Sequence, residues 1–336
     1  MSVLQQANTL VNRLIRRVRK HLTKLLRRLL GHPAEHHPLD EEDVAEHLFT
    51  AYASSGRLRL LPWLTPKRDF LLLSSAAPSS TPTRLLVLLH GCKQNPEDFS
   101  RSTRIRALAA QGDWLILLPR QSKRANWYHC WNWFDTSVLS GSGEVAIVLE
   151  ALTQIRREWA IDQNACYLAG MSSGAALAAA IACQAPTQFV GAAFHAGLAM
   201  GAAASPSRAQ RVMKTTPDRD VTFALPHSAH LPVLIIHGTA DEIVAPIHGD
   251  ELMRQMLAMN GMLTPGAALP KGELSELPAM TPNQWSRKVR SFGVHQLINI
   301  DGLGHAWSGG DEHWPFNDAR GPDATRLMID FFTGVK

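Results

Sequence analysis

Short apolar runs alternate with amphipathic stretches over most of this chain. Residues 68–75, 85–90, 114–119, 166–171, 189–194, 233–237 and 296–300 are brief, apolar and bounded by turn formers, which is the signature of buried strands. Between them, residues 96–110, 143–159, 173–183, 248–259 and 323–332 repeat apolar positions at three- and four-residue steps and predict helices. Strand and helix in alternation predict an α/β fold, a mainly parallel sheet with helices on both faces. Residues 262–290 are weakly periodic, carry Pro and Gly, and read as an insertion or lid.

A different pattern opens the chain. Val11, Leu14, Ile15, Val18, Leu22, Leu25, Leu26 and Leu29 recur at helical spacing, and arginines and lysines fill the opposite face. The sequence thus divides into residues 1–45, a basic amphipathic helix with a Gly/Pro/His linker, and residues 46–336, the expected catalytic domain. Residues 10–30 suit an anionic membrane or the surface of an apolar granule. Packing of the leucine face onto the chain's own domain or a second subunit fits the same pattern, and no nucleic-acid role is expected.

Charge sharpens that division. The chain has 34 basic and 29 acidic residues, net +5, but eight of the cations lie in residues 1–34 beside no acid. The remaining 26 cations against 29 acids make the body mildly acidic. Charges interrupt every candidate apolar core of a secretory signal, so a cytoplasmic or granule- or membrane-associated place is expected. Arg-rich, acid-poor character is also that of a mitochondrial transit peptide. A length of 336 residues with 45% hydrophobic content is enough to bury a sizeable core. Cys92, Cys130, Cys166 and Cys183 lack metal-ligand spacing, and no metal or organic cofactor is called for.

The candidate chemistry starts at Gly170-Met171-Ser172-Ser173-Gly174, which follows an apolar run and precedes a helix-forming stretch. Strand, sharp turn and helix are the context a nucleophile elbow requires. A serine at that point could equally cap the helix. In chain order after it, Asp241 lies just past the apolar run 231–236 and His305 lies on the Gly-rich turn after 296–300. Glu242 and Asp250 rival Asp241, and His195 and His237 rival His305 or fill the core. Order and position together favour Ser172, Asp241 and His305 as a catalytic triad. The early loop His90-Gly91-Cys92 would supply an oxyanion hole from the N–H groups of Cys92 and Ser173. Trp127, Trp131, Trp133 and Trp307 flank these motifs, and the last three are candidates to line the substrate cleft, with core packing as the alternative for Trp131 and Trp133.

Seven separated motifs add a resemblance. His90-Gly91-Cys92, Cys130-Trp131-Asn132-Trp133-Phe134, the Ser172 pentapeptide, His195-Ala196-Gly197-Leu198, His237-Gly238-Thr239-Ala240-Asp241, Gly304-His305-Ala306-Trp307-Ser308-Gly309-Gly310 and Arg320-Gly321-Pro322-Asp323-Ala324 occur in that order. Over about residues 65–334 the chain resembles the polyhydroxybutyrate depolymerase family of esterases, whose relatives include feruloyl and acetyl xylan esterases. The resemblance implies an α/β-hydrolase fold and a serine esterase acting on short-chain polyhydroxyalkanoate or its oligomers through an acyl-serine. A feruloyl or acetyl xylan-type esterase is the alternative, and a granule- or membrane-surface interaction protein on a hydrolase scaffold is the reading from another class. The resemblance also implies that Cys92 and Cys130 lie close together. Secreted depolymerases of this family carry a signal peptide and a polymer-binding domain, and neither is evident in this sequence. The reducing interior of a cell would oppose a disulfide between the two cysteines.

Overall fold

In the computed structural model, residues 43–52, 66–76, 83–222, 229–279, 281 and 283–334 are described. The amphipathic pattern of residues 10–30 lies outside them. Ten strands form one sheet: β1 (Val44–Tyr52), β2 (Lys67–Ser75), β3 (Thr83–Leu89), β4 (Trp114–Pro119), β5 (Ile161–Met171), β6 (Gly191–His195), β7 (Val233–Gly238), β8 (Glu273–Leu277), β9 (Arg287–Phe292) and β10 (His295–Ile300). Their order is β1-β2-β4-β3-β5-β6-β7-β10-β9-β8. The six central strands, β4 through β10 in that order, run parallel. Antiparallel pairs close both flanks, β1 and β2 on one side and β9 and β8 on the other.

Near-continuous apolar runs in the central strands follow from burial on both faces. Leu85, Val87 and Leu89 of β3 point into one apolar cluster, with α4 (Gly143–Glu158), α5 (Ser173–Gln184) and α7 (Ile247–Met259) over it. Leu86 and Leu88 point into the opposite cluster, beneath Phe99, Ile105 and Ala109 and beneath Met328 and Phe332 of the last helix, α8 (Ala324–Gly334). Two shorter helices, α3 (Thr136–Leu139) and α6 (Pro206–Val212), escape prediction because each spans only a turn or two.

Two further differences have local causes. The single helix expected over 96–110 is two, α1 (Pro96–Ser102) and α2 (Arg106–Ala110). Arg104 between them takes a positive φ of 60°, which no helix continues through, and the Thr103 hydroxyl donates to the Phe99 carbonyl at 2.7 Å. The stretch 262–290 contains an exposed strand, β8, and the start of β9, so part of the expected lid is the sheet's own edge. Its weak hydrophobic periodicity reflects an edge strand exposed along its whole length.

Candidate active site

All the residues read as catalytic come from the C-terminal ends of parallel strands, where open α/β sheets place their sites. Ser172 follows β5 directly and has φ 55° and ψ −122°, a strained conformation for a residue with a side chain. Its two flanking glycines make the turn feasible. A Cβ on Gly170 would lie 2.5 Å from the Gly174 backbone, and one on Gly174 would lie 2.3 Å from the Leu89 carbonyl oxygen. The Ser172 N–H donates to the His195 carbonyl at 2.9 Å, fixing the turn to β6. Ser172 does stand at the N-cap of α5, but its hydroxyl makes no capping bond. It donates instead to His305 Nε2, 2.9 Å away.

His305 Nδ1 in turn donates to Asp241 Oδ2 at 2.7 Å. The other carboxylate oxygen, Oδ1, accepts the N–H groups of Ile243 and Val244 at 2.9 and 2.8 Å, so Asp241 both holds its own turn and faces the imidazole. Burial alone would push its carboxyl upward. The hydrogen bond and positive charge offered by His305, with the Val244 amide, outweigh that and hold Asp241 below its ordinary value. The neighbouring His237 donates through Nε2 to the Val244 carbonyl at 2.9 Å and lies 3.6 Å from Asp241 Oδ2, beyond a hydrogen bond. His237 is therefore a core histidine, and burial lowers its basicity.

The loop after β3 packs onto the serine. A Cβ added to Gly91 would lie 3.3 Å from Ser172 Cβ and 3.0 Å from Gln94 Oε1, so the glycine permits this approach. The Gly91 N–H donates to Gln94 Oε1 and the Lys93 N–H to the Tyr128 carbonyl, each at 2.7 Å. The Cys92 N–H between them donates to no group among the described residues. Cys92 and Cys130 form a disulfide. That bond anchors the loop to residues 121–132, whose Trp131 N–H and indole reach the Ser173 hydroxyl and the His90 carbonyl at 3.3 and 2.9 Å.

Sequence reasoning missed what lies beneath this loop. His90 Nδ1 donates to the Gly91 carbonyl at 2.7 Å, and its Nε2 accepts the Gln121 N–H at 3.2 Å. Burial lowers His90 to about 4, so the ring stays neutral and keeps both bonds. Below it, Arg68 and Glu144 form a buried ion pair at 2.7 Å. Gln121 Nε2 donates to Glu144 and to the Cys130 carbonyl, and the Asn132 N–H donates to Glu144 at 2.8 Å. No local motif announces residues so distant in the chain.

The three tryptophans named as cleft candidates are core residues, which corrects that reading. Trp131, Trp133 and Trp307 are 0%, 3% and 1% exposed. Trp131 serves the His90 carbonyl, Trp133 stands edge-on to Phe134, and Trp307 donates to the Thr325 hydroxyl at 3.2 Å. Large apolar surface at this edge comes instead from Trp127 and Tyr128, 80% and 62% exposed. Among the described residues no three His, Cys, Asp or Glu side chains gather as a metal site would require.

Residues 70–277 match the family model described as esterase PHB depolymerase. The chain belongs to that family. It is 25% identical over 242 residues to poly(3-hydroxyalkanoate) depolymerase C of Paucimonas lemoignei, covering 69% of this chain and 56% of the relative. Against the poly(3-hydroxybutyrate) depolymerase of Ralstonia pickettii it is 27% identical over 257 residues, 69% of this chain and 51% of the relative. The chain therefore spans about half the length of these relatives. Among solved structures, the acetyl xylan esterase from Aspergillus awamori superposes with a TM-score of 0.58 at 19% identity, over 71% of this chain and 89% of that one. That likeness shows the α/β-hydrolase fold, as the family membership and the sheet order require.

Proposed function

We propose that this family member is a serine esterase, hydrolysing short-chain polyhydroxyalkanoate such as poly(3-hydroxybutyrate), or its oligomers, through an acyl-Ser172 intermediate. The observation that carries the reading is the unbroken relay from Ser172 Oγ to His305 Nε2 and from His305 Nδ1 to Asp241. In this reading His305 takes the hydroxyl proton as Oγ attacks the ester carbonyl, and Asp241 holds the imidazole and stabilises its cation. The N–H groups of Cys92 and Ser173 receive the oxyanion, each worth about 10²- to 10³-fold in rate by analogy with known holes. His305 then protonates the departing alcohol, and water, deprotonated by His305, releases the acid.

The polymer side of the reading is supported by Trp127 and Tyr128, exposed within three residues of Cys130 and so beside the oxyanion loop. Large aromatic faces on a bonded loop suit contact with an apolar polyester surface. Residues 10–30 would add a second, basic and apolar, contact with a granule or an anionic membrane.

The test is a parallel assay on p-nitrophenyl butyrate, poly(3-hydroxybutyrate) granules, hydroxybutyrate oligomers and feruloylated or acetylated xylan. The reading expects turnover of the butyrate ester and of the polyester or its oligomers, and none by Ser172→Ala. Release from xylan alone would transfer the chain to the alternative substrate class. No turnover of any ester would favour an interaction protein on a hydrolase scaffold. Removal of residues 1–32 is expected to reduce granule or liposome sedimentation while soluble-ester turnover persists.

A further inference from the structure

His195 is a buried histidine that the relay does not use. It ends β6, is wholly buried, and its backbone carbonyl accepts the Ser172 N–H at 2.9 Å. Its ring faces a different element. Nε2 accepts the Ser308 N–H at 3.2 Å, and the ring stacks on the Trp307 indole with centroids 5.2 Å apart and planes at 19°. Ser308 and Trp307 are the residues that leave the His305 turn. One residue thus holds the nucleophile through its backbone and the base's loop through its side chain.

We infer that His195 is a positioning residue that sets the Ser172–His305 separation by accepting the Ser308 N–H. The inference rests on the esterase reading for the meaning of that separation. The other leg of the turn is held from the acid loop, where the Ala240 N–H donates to the Leu303 carbonyl at 3.1 Å. His305 therefore stands between two anchors, Leu303 before it and Ser308 after it. Freeing the second anchor leaves the imidazole able to drift from the serine, and misplacement of about 1 Å can cost about 100-fold in rate.

The chemistry of the contact requires one particular form of the ring. Because Ser308 N–H is the donor, Nε2 must carry a lone pair and the proton must sit on Nδ1. Nδ1 is buried with no partner among the described residues, so Nε2 makes the ring's one hydrogen bond there. Burial, with the nearby His237 and His305, lowers the group to about 3 despite the opposing Asp241 charge. The ring stays neutral, and the acceptor persists, at any pH well above 3.

Gln and Met have similar shape, but Gln places an oxygen near the position of Nε2 and Met offers no comparable acceptor. The experiment compares His195→Gln with His195→Met by the rate at which a fluorophosphonate probe labels Ser172. In that reaction Oγ bonds to phosphorus, fluoride leaves, and the proton passes to His305. His195→Met is expected to label about 100-fold more slowly than wild type, and His195→Gln at least about 10-fold faster than His195→Met. On p-nitrophenyl butyrate the loss should fall on kcat with KM little changed. Equal labelling by the two variants, or a loss confined to KM, would overturn the inference. Ring nitrogen NMR of the wild-type protein tests it independently of either variant's folding: a proton on Nε2 of His195 contradicts it, and a bare Nε2 supports it. An unlabelled wild type would defeat the esterase reading instead, leaving the NMR result to decide the contact.

Discussion

Gly238 and Leu303 approach so closely that a Cβ on the glycine would lie 2.1 Å from the Leu303 carbonyl oxygen. Gly238 ends the strand before Asp241, and Leu303 precedes His305, so this contact sets how near the Asp241 and His305 loops can come. The N–H groups of Thr239 and Ala240 cross the same seam to the carbonyls of Ile300 and Leu303. Gly238→Ala must part the two loops. It is expected to lower kcat for p-nitrophenyl butyrate by about 100-fold. Wild-type kcat in a folded Gly238→Ala protein would show that the seam does not govern the relay.

The Cys92–Cys130 disulfide closes a 38-residue separation next to the proposed oxyanion donor. On chain entropy alone, removing such a crosslink costs about 4 kcal/mol of stability. Cys130→Ser should therefore unfold at lower denaturant and lose kcat more than KM, because the Cys92 amide loses its covalent anchor. Unchanged unfolding and turnover would mean that the loop is held by its hydrogen bonds alone.

Glu144 is the hub beneath the same loop. Glu144→Gln leaves the Arg68 cation buried without a counter-charge, which typically costs about 3–5 kcal/mol. Adding Arg68→Met to Glu144→Gln should recover much of that loss, since no charge then remains buried and the amide oxygen can still accept the Asn132 N–H. Denaturant titrations in which the single and double variants lose equal stability would refute this account of the pair.

Buried histidines set the acid limit. His90, His195 and His295 are lowered to about 4, 3 and 4, mainly by burial, and His237 and His248 are lowered as well. From pH 6.5 down to about 4, the unfolded chain binds protons that the native chain refuses. Stability should then fall with pH by about 1.4 kcal/mol per unit for each such histidine. Asp241, held below its ordinary value, adds to the loss only below about pH 4. Unfolding free energies that stay flat between pH 6.5 and 4.5 would contradict these neutral rings.

Much of the fold was readable because burial on both faces leaves an unbroken apolar run in each central strand. β1, β8 and β9 were not, since these flanking strands interleave polar residues, are partly or wholly exposed and carry no such run. Ser172, Asp241 and His305 could be proposed from order along the chain, as each follows a strand. The tryptophans misled because size and proximity to a motif say nothing about facing. Whether an indole such as Trp131 meets solvent or the His90 carbonyl is decided by tertiary packing. His90, Gln121, Glu144 and the ring of His195 act through partners distant in sequence, so their roles emerge only once the sheet is assembled.

The central claim is that Ser172 carries the acyl group. Rapid mixing with p-nitrophenyl butyrate, followed by acid quench and peptide mass spectrometry, tests it most directly. The account predicts a butyryl group on the peptide containing Ser172 in the wild-type protein and neither adduct nor turnover in Ser172→Ala. Hydrolysis by Ser172→Ala at the wild-type rate, or a butyryl group on another side chain, would contradict it.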